Sequence, residues 1–139
     1  LLASDVRPTE ADRVISEAHS AQVREMLRQV VVRGTAKRAD VPGYEVGGKT
    51  GTADKPLSSG GYARDKTIAT FASVFPTSDP QFVMVIALDE PTARFRTAGL
   101  TAAPVFAEAL RRIAPIMGLR PDMNPDGEVP LLYTMAGGE

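Results

Sequence analysis

The chain has 139 residues, a formal net charge of −1, one histidine and no cysteine. This length fits one ordinary domain with one core, and the lack of cysteine excludes thiol catalysis, disulfides and cysteine-based zinc sites. The near-neutral charge and the scattered basic residues argue against a nucleic-acid partner. No apolar run in the sequence reaches the roughly 18 residues of a membrane span.

The first predicted elements are a short strand at Val14-Ile15 and a helix from Ser20 onward. Ser20 is the expected N-cap and Gly34 the expected C-terminal stop of this helix. Its apolar stripe repeats at helical spacing and consists of Val23, Leu27, Val30 and Val31.

Three strands and a second helix follow in the sequence. The strands are predicted at Tyr44–Ala53, Thr67–Phe75 and Phe82–Leu88, and a long loop at residues 54–66 joins the first two. The last helix is predicted at Ala102–Ile113, because Pro104 suits a first helical turn. The proline-rich tail after this helix is expected to be irregular. These elements predict an α/β fold of the α+β type with an antiparallel sheet.

The third strand, Phe82–Leu88, is apolar on both faces, which is typical of a central strand covered by helices. A central strand needs a neighbour on each edge, and the meander supplies one, Thr67–Phe75. An exposed apolar edge invites aggregation. We therefore expect a further strand, either from residues 1–19 or from polypeptide outside this chain.

The segment Gly47–Asp54 combines three glycines, one lysine and two threonines. An ammonium, hydroxyls and open backbone N–H groups along one extended strip suit an anion, such as a carboxylate or a developing oxyanion. The same letters also fit a P-loop, because Gly43 to Thr50 reads G-x-x-x-x-G-K-T. The P-loop requires a buried strand before the stretch and a helix after it, and the glycines and proline in residues 51–61 argue against that helix.

Read as a strand, Lys49-Thr50-Gly51-Thr52 is the K-T-G motif of penicillin-binding proteins and serine β-lactamases. The surrounding segments resemble class B penicillin-binding proteins in the order of that family. They are Gly34-Thr35, residues 43–53, Phe71–Pro76, Leu88–Pro91 and Ala102–Phe106. The matches at Phe71–Pro76 and Ala102–Phe106 favour a transpeptidase over a β-lactamase or a penicillin sensor.

The resemblance implies a D,D-transpeptidase that cross-links peptidoglycan and binds β-lactams, with a five-stranded sheet between helices. It assigns catalytic roles to Lys49, near the nucleophile, and to the backbone N–H of Thr52, in the oxyanion hole. Thr50 and Thr52 are expected to bind the ligand carboxylate through their hydroxyls. Gly51 is expected to let the substrate lie against the strand, and Tyr62 to line the substrate groove.

Five other charged or titratable residues are weighed against these roles. Arg94 and Arg96 are candidates for holding an anionic substrate, but two exposed arginines in a loop are commonplace. Asp89 and Glu90 are expected to form a solvated strand end rather than a metal or acid–base site. His19 is expected to be exposed near a helix start.

The family also needs a nucleophile motif S-x-x-K and a second motif S-x-N. None of the seven serines has lysine three residues on or asparagine two residues on. Residues 1–139 are therefore interpreted as the C-terminal portion of one transpeptidase domain, partnered by the N-terminal part of that domain. The alternative is a non-catalytic penicillin-binding-like module that only binds peptide.

The remaining implications concern cofactor, ligands and location. No metal or organic cofactor is implied, and the expected ligands are a peptidoglycan stem peptide and β-lactam antibiotics. The resemblance places the intact protein at the periplasmic face of a bacterial inner membrane, anchored by a segment outside this chain. It leaves open a role in division or in elongation.

Overall fold

The computed structural model describes residues 13–92 and 95–122. The described residues form α1 (Glu17–Val32), a 3-10 turn (Lys37–Ala39), β1 (Gly47–Pro56), β2 (Tyr62–Phe75), β3 (Phe82–Asp89) and α2 (Ala102–Ile113). The three strands make one antiparallel sheet in the order β1-β2-β3. The predicted α+β architecture is confirmed. Neither helix is long and apolar enough to cross a membrane.

Helix α1 begins one turn earlier than predicted. The N-cap is Ser16, whose hydroxyl oxygen accepts the His19 N–H at 3.1 Å, so Ser20 lies inside the helix. Val14 and Ile15 are exposed and form no strand, so that prediction is wrong. The helix ends at Val32, close to the predicted stop.

Strands β1 and β2 form a longer hairpin than predicted, and the expected long loop at residues 54–66 is wrong. Only residues 57–61 separate the strands. Gly60 and Gly61 have φ of +88° and +81°, a region that glycine enters without steric cost. The glycines therefore make a tight turn.

The strand character of β1 also decides against the P-loop. A P-loop lysine opens a helix whose N-terminus holds phosphate. Lys49 instead lies within a strand that continues to Pro56, and its neighbours pair with β2 in regular antiparallel register. The nucleotide-binding alternative is therefore wrong.

The core lies between α2 and one face of the sheet. Phe106 of α2 packs its ring against Phe71 at 5.0 Å and against Phe75 at 5.8 Å between centroids, and all three side chains are buried. Phe75 also stacks on Phe82 of β3 at 5.8 Å. Leu110 completes the buried stripe of α2. This core fixes β1 at one edge of the sheet through its neighbour β2.

The opposite face of β3 is open in the described part of the chain. Val83 and Val85 are 76% and 60% exposed, whereas Met84 and Ile86 pack on the core. Among the described residues, helices therefore cover only one face of β3. The outer edge of β3 pairs with no described strand, so the further strand expected beside it stays a prediction.

Candidate functional site

Strand β1 presents its polar residues on opposite faces of the sheet. Thr50 pairs with Phe71 and Thr52 with Ala69, two buried residues on the side of α2. Side chains of directly paired residues share a face, so both threonines point toward the α2 side. Lys49 points the other way, because successive side chains alternate across a strand.

The Lys49 ammonium lies at the unpaired edge of β1. Its Nζ donates to the backbone oxygen of Thr50 at 2.9 Å, and the side chain is exposed. No carboxylate in the described ranges forms an ion pair with it. Within those ranges β1 pairs with β2 alone, so the edge that carries this charge is open to a ligand or to another segment.

The Thr50 hydroxyl is held by a second hydroxyl. Thr50 Oγ1 and Thr35 Oγ1 lie 2.9 Å apart, and either group can be the donor. Thr35 follows α1 closely, so this contact ties the end of α1 to β1. When Thr35 donates, the Thr50 proton is available for an acceptor in the adjoining space.

The Thr52 hydroxyl oxygen acts as a hydrogen-bond acceptor inside the protein. Its Oγ1 accepts the Ala98 backbone N–H at 2.9 Å, and Ala98 is only 1% exposed. Ala98 is anchored in turn, because its carbonyl accepts the Ala103 N–H of α2 at 2.9 Å. Since Thr52 Oγ1 is already an acceptor here, its own proton is directed elsewhere and suits an anionic ligand.

Two glycines of β1 occupy positions where a side chain does not fit. A Cβ on Gly51 would lie 2.6 Å from Thr70 Oγ1, and a Cβ on Gly48 would lie 2.5 Å from the Phe71 ring and 2.6 Å from the Ala72 carbonyl. The bare surface at Gly51 and the close packing behind Gly48 therefore both depend on glycine.

A cavity of about 480 Å³ adjoins the two threonines. Its walls come from the end of α1, the 3-10 turn, β1 and the segment before α2. The lining residues are Gly34, Thr35, Lys37, Arg38, Thr50, Thr52, Thr97, Ala98, Gly99 and Leu100. The lining of the cavity thus combines four threonines with two cations and no carboxylate.

Tyr62 does not join this site. It begins β2 and pairs with Pro56, seven residues along β1 from Lys49, which corresponds to roughly 23 Å at strand spacing. Its side chain is 71% exposed. The expectation that Tyr62 lies in a flexible loop beside the motif is wrong, because the strands continue to the end of the hairpin.

The acidic end of β3 forms an ion-pair cluster. Lys55 Nζ lies 2.8 Å from both Asp89 and Glu90, and Lys66 lies 3.1 Å from Glu90. Hydrogen bonds to Asp89 and then Glu90 raise the pKa of Lys55, and the hydrogen bond from Lys55 is the main cause that lowers the pKa of Glu90. This is the predicted solvated strand end, and no histidine–carboxylate group suited to a metal occurs among the described residues.

Two other weighed residues, Arg96 and His19, lie apart from the cavity. Arg96 pairs with Asp54 at 3.3 Å. His19 is exposed in the first turn of α1, as predicted. Neither of them lines the 480 Å³ cavity. Arg94, the remaining candidate, lies outside the described residues.

Sequence reasoning missed the groups that hold the two hydroxyls. Gly34-Thr35 belongs to the family resemblance, but no role followed from it. The contact of Thr35 with Thr50 spans 15 residues, and that of Ala98 with Thr52 spans 46. The Ala98 contribution is a backbone N–H, for which the sequence carries no signal.

Comparison with known proteins identifies the family. A family model described as the penicillin-binding protein transpeptidase domain matches residues 4–111. Stage V sporulation protein D of Bacillus subtilis is 39% identical over 117 residues, covering 84% of this chain and 18% of that protein. The probable peptidoglycan D,D-transpeptidase FtsI of Caulobacter vibrioides is 39% identical over 128 residues, covering 83% of this chain and 22% of the relative.

Solved structures agree with these relatives. Penicillin-binding protein 3 of Mycobacterium tuberculosis, in complex with ampicillin, matches with a TM-score of 0.70 and 33% identity, covering 82% of this chain and 27% of that one. The transpeptidase domain of Burkholderia pseudomallei penicillin-binding protein 3 matches with a TM-score of 0.70 and 35% identity, covering 84% and 37%. The chain thus spans about a fifth of the two curated relatives named here. It belongs to the penicillin-binding protein transpeptidase domain family.

Proposed function

We propose that this chain supplies the K-T-G wall of a peptidoglycan D,D-transpeptidase active site. The single observation that carries the proposal is the arrangement of β1, whose outer edge pairs with no described strand and carries an exposed lysine beside two hydrogen-bonded threonine hydroxyls. Membership of the transpeptidase family gives this arrangement its chemistry.

The backbone of β1 supports a role in binding the reacting carbonyl. The Thr50 carbonyl accepts from the exposed Lys49 ammonium, which fits a carbonyl on the open edge of the strand. Backbone groups of alternate residues point to the same edge, so the Thr52 N–H shares this direction. An N–H aimed at an open cleft suits a developing oxyanion, which is the role proposed for Thr52.

The side chains of β1 support carboxylate recognition. Thr52 Oγ1 accepts from Ala98 and therefore offers its proton outward, and Thr50 can do the same when Thr35 donates to it. Hydrogen bonds to a charged acceptor are stronger than those between neutral groups. We assign the carboxylate of a β-lactam, or of the terminal D-Ala of a stem peptide, to these hydroxyls, with Gly51 leaving room for the peptide. Tyr62 has no part in this assignment.

The reaction requires a serine from outside residues 1–139, because no serine of this sequence stands in an S-x-x-K motif. Its Oγ would attack the penultimate D-Ala carbonyl, form an ester and release the terminal D-Ala with the transferred proton. An amine of a neighbouring stem peptide would then displace the serine and form the cross-link. Lys49 would keep positive charge beside the serine throughout.

The domain assignment follows from the same reasoning. We assign residues 1–139 to the C-terminal portion of one transpeptidase domain, completed by the N-terminal part that carries the serine. The exposed outer face and unpaired edge of β3 fit such a partner. The intact protein would work at the periplasmic face of a bacterial inner membrane, attached through a segment outside this chain.

Labelling of the intact parent protein with a fluorescent penicillin tests the proposal. Lys49→Ala should reduce the acylation rate by at least about 100-fold, because preorganised charge at a reacting centre contributes on that scale. Lys66→Ala is the matched control, since Lys66 pairs with Glu90 away from the cavity.

The outcomes separate the alternatives. Unchanged labelling of Lys49→Ala would contradict the role of Lys49. A parent protein that binds the peptide but is never acylated would instead support the non-catalytic peptide-binding module.

A further inference from the structure

The cavity beside Thr50 and Thr52 carries two cations whose charge has no described partner. We propose that Lys37 and Arg38 form a cationic wall that attracts carboxylate-bearing ligands to the site and favours them over neutral ones. This inference rests on the proposed function of the same cleft and adds the residues that set its charge preference.

The charge balance of the cavity is the first argument. Lys37 and Arg38 both line it, and none of its lining residues is acidic. Among the described residues, five other cations form ion pairs with carboxylates, namely Arg28, Lys55, Lys66, Arg96 and Arg112. No carboxylate of the described ranges pairs with either Lys37 or Arg38. Their charge is therefore not neutralised locally and acts on whatever enters the cavity.

The anchoring of the 3-10 turn is the second argument. Ala36 and Ala39, which flank the two cations, are fully buried, and the Ala39 N–H donates to the Ala36 carbonyl at 2.8 Å. The Lys37 and Arg38 side chains are exposed. The backbone of the wall is thus fixed in the core, while its two exposed charged residues line the cavity.

The third argument is the position of the threonine hydroxyls on the other walls of the cavity. Thr50 and Thr52 provide directed hydroxyls, and Thr35 fixes one of them at 2.9 Å. A cavity of about 480 Å³ is much larger than a carboxylate and has room for the residue that carries it. The hydroxyls therefore orient the anionic group, and the cations raise its local concentration.

Exposed charges at a rim act mainly on association and are screened by salt. Removing the charges of Lys37 and Arg38 should therefore slow the binding of anionic ligands at low ionic strength, with little change in the chemical step. A second negative charge on the ligand should enlarge the effect.

The experiment measures the second-order rate of acylation of the intact parent protein. The probes are benzylpenicillin, which has one carboxylate, and a penicillin with a second carboxylate on its side chain. Lys37→Gln with Arg38→Gln should lower the rate about 3- to 10-fold at low salt. The loss should be larger for the dianionic probe and should shrink in strong salt.

Two control variants isolate the wall. Arg111→Gln with Arg120→Gln removes the same charge from positions that do not line the cavity, and this variant should keep the wild-type rate and salt dependence. Lys37→Arg with Arg38→Lys keeps the charge and should also behave as wild type.

Each further outcome has one reading. Wild-type labelling with the same salt dependence in Lys37→Gln/Arg38→Gln would overturn this inference alone. An equal loss in the Arg111/Arg120 variant would also overturn it, because the effect would then follow net charge. A parent protein that no penicillin labels would overturn both the inference and the proposed function.

Discussion

Replacing Thr52 by valine would remove one hydroxyl while almost keeping the shape of the side chain. The first effect is on the fold, because the Ala98 N–H loses the acceptor that now lies at 2.9 Å. Ala98 is 1% exposed, and an unsatisfied buried donor costs about 1–3 kcal/mol. Thr52 itself is exposed, so water can reach part of the gap and the lower end of that range applies.

The second effect of Thr52→Val is on the ligand. A hydrogen bond to a charged group contributes about 1.5–3 kcal/mol, and 1.4 kcal/mol corresponds to a factor of ten in rate or affinity. Losing the donor to the ligand carboxylate should therefore slow penicillin acylation of the intact parent by roughly 10- to 150-fold. Stopped-flow acylation and urea unfolding measure the two effects separately.

Thr52→Ser is the matched control, because it keeps Oγ and loses only a methyl group. It should keep the acylation rate within about 3-fold and lose less stability than valine. Acylation of Thr52→Val at the wild-type rate would refute the carboxylate contact. Equal losses in the serine and valine variants would also count against it, because serine keeps the hydroxyl that the contact requires.

Two further predictions concern stability of the intact parent. Gly48→Ala should destabilise the fold by about 2 kcal/mol or more, because its Cβ would meet the Phe71 ring and a backbone carbonyl at under 3 Å. The control is Gly60→Ala, whose Cβ has nothing within 4 Å but whose φ is +88°, so it should cost only about 1–2 kcal/mol. Equal thermal midpoints for the two variants would contradict the packing argument. Lys55→Gln should lower the thermal midpoint near neutral pH. The destabilisation by Lys55→Gln should fade in acid. Folding lowers the pKa of Glu90 from 4.5, so its ion pair contributes stability above that value and loses it as pH falls through the folded-state pKa. The destabilisation should also fade in strong base, because folding raises the pKa of Lys55 from 10.5 and the lysine loses its charge once the pH exceeds the raised value. A difference in thermal midpoint that stays constant from acid to base would refute this electrostatic origin.

The sequence predicts most accurately the bounds of those elements whose apolar residues are buried against other parts of this chain. Helix α2 has the predicted bounds, Ala102–Ile113, because its apolar stripe meets the sheet along its whole length. Strand β3 ends one residue later than predicted. In α1 the first turn is exposed on all sides, so its apolar pattern begins only after the true start at Glu17.

The hairpin extension was missed for a different reason. Residues 62–66 of β2 are charged, polar or small, and glycines precede them, so nothing in the pattern marks a strand. The register shifts between Asp54 and Pro56, and the pairing with β1 resumes at Tyr62. In this region, hydrogen bonding to β1 determines the strand, and side-chain hydrophobicity does not.

For the site, the K-T-G motif indicates the strand but not the groups that hydrogen-bond to its threonines. Lys49, Thr50 and Thr52 are recognisable because residue type and spacing carry their chemistry. Thr35 and the Ala98 N–H are brought to them by the fold, from 15 and 46 residues away. Only a structure reveals such contacts, since their sequence spacing follows no local rule.

The far end of the β1–β2 hairpin extends past the rest of the sheet. β3 pairs with β2 only from Ile68 onward, so residues 62–66 form a two-stranded arm with β1, which Lys55 ties to Asp89 and Glu90. A two-stranded ribbon has little stability of its own, and the ion pairs of Lys55 and Lys66 with this acidic end help to keep the arm in line with the sheet. Because β1 runs from this arm to Lys49, a displacement of the arm would be transmitted along the strand to the edge that carries the lysine.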